Sequence, residues 1–313
     1  MSAYLSFKDI PKSPLSMAEA VAAMDALHRE SYARYSWSHL RFLLSKISRG
    51  HFSPSIEDTP AAPMIRGRAV LIKPVGKTAH VDSTRLFTNL SDLGPPPSEC
   101  VSTYGRCHVP RSPLFYASFD ESTVLAELAP ERDSLVYLIN CVPNDGALFK
   151  TRLIGEIDYI RRFRRSSVLS HHHVTTKEIL EWIDSANDEQ DYVRLLTDAF
   201  FAEMFSRNAV TQNDYRASSA LCSLMLELKG TDEPSDGEAL YYPSVAHRGG
   251  MNIALTPKCF HEKARVVSCK VIKVDACFGF GLYKTHVVAN GEMDSDGGIQ
   301  WRTPDQNRVR NNA

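Results

Sequence analysis

The chain has 313 residues, 43% hydrophobic and 23% charged, ordinary proportions for a soluble globular protein of one large domain with an extension, or of two domains. Its 36 basic and 37 acidic residues leave a formal net charge of -1, which removes any global argument for nucleic acid or an anionic membrane surface as the partner. Met1 is followed by no basic segment with a long apolar core, and no apolar run reaches the ~18–20 residues of a membrane span, so a cytoplasmic protein is expected.

In chain order, residues 1–16 carry Pro11 and Pro14 and read as irregular. Ser16 and Glu19 have the spacing of a capping box, and the alanine-rich run to Ala26 predicts a helix. Leu40, Leu43, Leu44 and Ile47 form one apolar face of a second helix, to be covered either by the main domain or by a partner. Residues 51–63, with three prolines, read as a linker, which sets a helical extension over 1–65 apart from a domain over 66–289. Strands are expected over 69–73 and 81–87, and Gly94-Pro95-Pro96-Pro97 forces an extended connection.

Residues 105–130 place a strand (Leu114 to Ala117) before a helix capped at Ser118, with Glu127 among Val124, Leu125 and Leu128. A carboxylate in an apolar stripe is expected to be buried and to need a partner or a function. Residues 134–142 (SLVYLINCV) predict a buried strand, and the arginines at 161, 162, 164 and 165 a solvated basic face. A long helix is expected over 179–205 and another over 215–228, followed by strands at 239–242, 251–255 and 266–274. The polar stretch over 290–313 reads as a mobile tail. The seven cysteines include no CxxC pair, which fits free thiols, and no metal site is expected, His171-His172-His173 included.

Four polar residues stand in apolar, strand-like or helical context: Arg85, Tyr116, Glu127 and Ser244. An arginine offers a planar cationic fork for phosphate or carboxylate, and a tyrosine a ring for stacking with a hydroxyl at its tip. A carboxylate stabilises positive charge developing at a sugar carbon. The plainer readings stay open: Arg85 and Glu127 as a structural ion pair, Tyr116 as core, Ser244 as a turn former. There is no GxGxxG after a first strand, no GxxxxGK[ST] and no GxSxG, so dinucleotide-fold, P-loop and serine-hydrolase chemistry are unsupported.

These residues fall in ordered blocks, STRLF, LGPPP, Gly105-Arg106, PLFYAS, ESTVLAELAP, DYRASSALCSLML, YYPSVA and GGMNIAL, spread over most of the chain. Together they resemble the RES-domain family, named for an Arg, a Glu and a Ser. The resemblance implies an α+β fold similar to ADP-ribosyltransferases, with a split, mainly antiparallel sheet and flanking helices. It implies an enzyme acting on NAD+ as substrate, without a metal, by cleaving the nicotinamide–ribose bond; many members are toxins. A protein ADP-ribosyltransferase and a non-catalytic binding module are the alternatives. Carried over by position, Glu127 would be the catalytic carboxylate, Arg85 would grip phosphate or ribose, Tyr116 would stack near nicotinamide and Ser244 would support the site. Arg106 and Asn252 fall at further positions expected to bind NAD+. The implied partners are NAD+ and an Xre-type antitoxin, with a second copy of the chain as an open alternative, and neither membrane nor nucleic acid is expected.

Overall fold

Side chains that alternate between two apolar faces give this chain a sheet covered on both sides. The structure is a computed structural model that describes residues 15–29, 34–48, 55–58, 63–70, 87–167, 173–207, 211–227 and 237–304. Its strands are β1 (Ser55–Asp58), β2 (Met64–Val70), β3 (Phe115–Ser118), β4 (Leu135–Pro143), β5 (Phe149–Leu153), β6 (Ala239–Pro243), β7 (Met251–Leu255), β8 (Ala264–Gly279), β9 (Leu282–Met293) and β10 (Ile299–Arg302). They form one ten-stranded sheet in the order β1-β5-β6-β7-β3-β2-β4-β8-β9-β10. Only β5 and β6 run parallel; the other neighbours are antiparallel. The fold is therefore α+β, as expected.

The helices are α1 (Met17–Arg29), α2 (Trp37–Ser48), α3 (Glu121–Leu128), α4 (Glu156–Phe163), α5 (His173–Ser185), α6 (Glu189–Ser206), α7 (Tyr215–Glu227) and α8 (Pro257–Lys263). Four of them, α4 to α7, make the long crossover that parallel β5 and β6 require. The helix expected over 179–205 is broken in two, because Asp188 turns extended and its carboxylate accepts the Asp191 N–H, capping α6. Ser16 and Glu19 do form the reciprocal cap of α1. The apolar face of α2 is covered: Leu40, Leu44 and Ile47 are fully buried, with α2 against α7 and α1 against α6.

Residues 290–302, expected in a mobile tail, complete β9 and form β10. The stretch is polar because only one face of this end is covered, and Trp301 and Ile299 carry the burial. Trp301 lies edge-on to Tyr137, and its indole N–H donates to the Phe87 carbonyl at 2.6 Å. Strand β2 likewise crosses the expected boundary at residue 65, and β1 adds a strand to the segment read as a linker.

The two faces separate cleanly by residue parity. Phe115, Tyr137, Ile139, Tyr241 and Ile253 belong to one core; Leu240, Tyr242 and Ala254 face α6 and α7 in a second. On that second face Val136, Leu138, Ile272 and Val274 pack beneath Val124 and Leu125 of α3. Between α3 and α7 the floor is the β2–β3 junction, where pairing is reduced to Ile65 against Ser118. The basic run of α4 is tied to carboxylates, with Arg161 and Arg162 on Asp158 and Arg164 on Asp184.

Candidate active site

Helix α3 begins at Asp120, whose carboxylate accepts the Thr123 N–H at 2.8 Å. The expected cap, Ser118, is still in β3 and has another task. Its hydroxyl donates to Asn252 Oδ1 at 2.6 Å. That bond orients the Asn252 amide, so Nδ2 is the atom that donates to Glu127 Oε1, at 2.7 Å. A second donor, Ser244 Oγ, reaches the same oxygen at 2.7 Å while accepting the His247 N–H. Glu127 is thus fixed through one oxygen, and Oε2 has no partner among the described residues.

Glu127 is an exposed residue at the last turn of α3, not the buried acid expected from its apolar neighbours. The buried part of the arrangement is its support: Ser244 is 8% exposed and Asn252 4%. Glu127 lines a cavity of about 380 Å³ together with Tyr116, Ser118, Asn252, His108 and Arg106, among others. Two close approaches hold α3 in place. A Cβ on Gly67 of β2 would sit 2.6 Å from both Leu128 and Val124, and one on Gly250 would run into the Thr123 hydroxyl. Gly250 belongs to the β6–β7 turn, where the Ser244 N–H donates to the Gly250 carbonyl at 2.8 Å. Glycine there lets the turn press Ser244 under Glu127.

Tyr116 lies on the same face of β3, opposite Ala254. Its hydroxyl accepts the Cys107 N–H at 3.1 Å and contacts His108 Nδ1 at 2.8 Å. Burial pushes the Tyr116 phenol well above its usual range, so the proton stays on the tyrosine. Burial also lowers the His108 pKa, against a hydrogen bond to the Thr103 backbone. The neutral pair fits an arrangement in which Tyr116 donates to His108 Nδ1. The Tyr116 hydroxyl is then committed within the protein, and its ring is what it offers to a ligand.

Of the expected site residues, Glu127, Tyr116, Asn252 and Arg106 line one cavity, and Ser244 holds Glu127 from behind. Arg106 Nη1 donates to the Phe205 carbonyl at 2.7 Å and to the Arg207 carbonyl at 3.2 Å. Arg85 lies outside the described residues. An arginine not singled out from the sequence, Arg66 of β2, lines the cavity at the β2–β3 junction. Its Nε donates to the Leu93 carbonyl at 2.9 Å and its Nη1 to the Tyr116 carbonyl at 3.2 Å, bridging strands that have lost their ladder. Burial, and after it the charge of Arg68, lowers its pKa to about 10, which still leaves it a cation at neutral pH. Such a cation beside a cavity suits an anionic ligand. Among the described residues no group of three or more His, Cys, Asp or Glu side chains could hold a metal ion, and no helix is long and apolar enough to cross a membrane.

A family model for the RES domain matches residues 77–271, more than half of the chain. No curated protein and no solved structure matches it.

Proposed function

The chain belongs to the RES-domain family, and from that premise we propose that it binds NAD+ in the cavity beside Glu127 and cleaves the bond between nicotinamide and ribose. The observation that carries this reading is the one-sided fixing of Glu127: Ser244 and Asn252 hold Oε1, and Oε2 stays free at the cavity. Nicotinamide leaves with the electron pair of its C–N bond, which neutralises its ring and leaves positive charge on the ribose carbon. A carboxylate held rigidly beside that carbon stabilises the charge as it develops, as in glycoside hydrolysis but with one carboxylate instead of two. The Tyr116 ring supplies a surface for a flat heterocycle, and Arg66 supplies a cation for phosphate or ribose oxygens. Water then attacks the cation and loses a proton, giving ADP-ribose.

In this reading the protein is an NAD+-depleting toxin, and an Xre-type antitoxin is its protein partner. The experiment is incubation of the purified protein with adenine-labelled NAD+ and identification of the products. Free nicotinamide with free labelled ADP-ribose supports the glycohydrolase. Label carried onto a protein assigns an ADP-ribosyltransferase instead, and intact NAD+ sinks both.

A further inference from the structure

At the mouth of the cavity the segment 104–106 runs beside the start of α7, and two arginine–tyrosine stacks form there. The Arg106 guanidinium carbon lies 5.3 Å from the Tyr215 ring centroid, and that of Arg216 lies 5.9 Å from the Tyr104 centroid. Gly105, Arg106 and Tyr215 line the cavity; Tyr104 directly precedes Gly105 and Arg216 directly follows Tyr215. All four side chains are half-buried. Among the described residues neither guanidinium is paired with a carboxylate, and the Arg216 Nε is buried without a hydrogen-bond partner. A guanidinium whose Nε is buried without a partner and that has no carboxylate beside it is costly unless an anion joins it.

The cavity's size points the same way. About 380 Å³ is near the small end of the roughly 300–1,000 Å³ typical of ligand pockets. That suits one nucleotide of a dinucleotide with its reactive bond near Glu127, and leaves the second nucleotide at the mouth. We propose that Arg106 and Arg216, with the rings of Tyr104 and Tyr215, form a station for the diphosphate and flat base of an adenosine diphosphate group. The rim thereby sets the preference for a dinucleotide over a mononucleotide. This rests on the NAD+ reading for the identity of the substrate, but the station itself is testable without turnover.

The probe is ADP, which lacks the nicotinamide ribose and is not cleaved, titrated calorimetrically into the full chain. The parent binds ADP, Arg216→Ala weakens it about tenfold or more, as loss of a charge-assisted contact does, and Arg216→Lys, which keeps the charge but loses the planar stack, falls between. Absent ADP binding by the parent, or an Arg216→Lys and Arg216→Ala pair binding like the parent, overturns the station. If Arg216→Ala does not fold, Arg216→Lys alone decides, by weakened or parental ADP affinity. Comparing turnover of NAD+ and nicotinamide mononucleotide separates the two claims. A parent that binds ADP through Arg216 but releases no nicotinamide keeps the station and removes the catalytic reading. A parent that cleaves NAD+ with an Arg216→Ala preference for NAD+ equal to its own does the reverse.

Discussion

Replacing Asn252 by alanine removes one of two donors to Glu127 Oε1 and orphans the Ser118 hydroxyl, in a place 4% exposed. A hydrogen bond to a charged group contributes about 1.5–3 kcal/mol, so a carboxylate left on the Ser244 bond alone should lose roughly 10- to 150-fold in kcat. Stability falls as well, by about 1–3 kcal/mol for the unsatisfied hydroxyl. Nicotinamide release at saturating NAD+ reads the first effect, and a thermal melt reads the second. Ser118→Ala is the control: it frees the Asn252 amide to flip but leaves both donors present, so its kcat loss should be smaller. An Asn252→Ala enzyme with parental kcat would refute the claim that Asn252 positions the carboxylate. A loss equal to that of Ser118→Ala would show that only local packing was damaged.

Three further outcomes follow from the same geometry. Gly250→Ala puts a methyl group against the Thr123 hydroxyl and pushes the β6–β7 turn off α3; a cost of about 1–3 kcal/mol and a lowered kcat are expected, and a parental rate would mean the turn does not set the position of Ser244. Trp301→Ala should destabilise by about 3–5 kcal/mol, seen as a lower melting temperature, because Trp301 packs on Tyr137 and bonds Phe87; an unchanged melt would return this end of the chain to a dispensable tail. Because burial lowers the His108 pKa in the folded state, the unfolded chain takes up a proton first as pH drops. Its stabilising contribution is therefore complete above the ordinary histidine pKa of about 6.5 and declines below it until pH has passed the lowered folded value. Melts of parent and His108→Gln across pH 8 to 5 check this, and parallel curves would count against it.

The Glu127 end of the cavity is legible in sequence because its residues sit in short apolar elements whose register is forced. Tyr116, Ser118 and Asn252 share a face by strand parity, and the β6–β7 turn returns Ser244 beside them. What strand and helix patterns do not encode is exposure at a helix end, so Glu127 looked buried when only its supporting residues are. Arg66 escaped because it falls between the segment over 51–63, which reads as a linker, and the expected strand, which begins only at Ala69. An arginine directly after Met64 and Ile65, followed by a glycine, was the available signal. Ser118 read as a cap because serine three residues before glutamate is a capping pattern, but the true cap is Asp120 two residues later. The β9–β10 hairpin hid for a compositional reason: a sheet end with one wet face looks polar, and in β10 only Ile299 and Trp301 mark its dry side.

The central claim is that the free oxygen of Glu127 stabilises charge at the ribose carbon, and Glu127→Gln tests it with the least change of shape. The amide oxygen can still accept from Ser244 and Asn252 at Oε1, while the negative charge is gone. Nicotinamide release from NAD+ should fall by roughly 100- to 1,000-fold, the range for losing one electrostatic contributor to a transition state, with the melting temperature near that of the parent. A Glu127→Gln protein that releases nicotinamide at the parental rate would contradict the account.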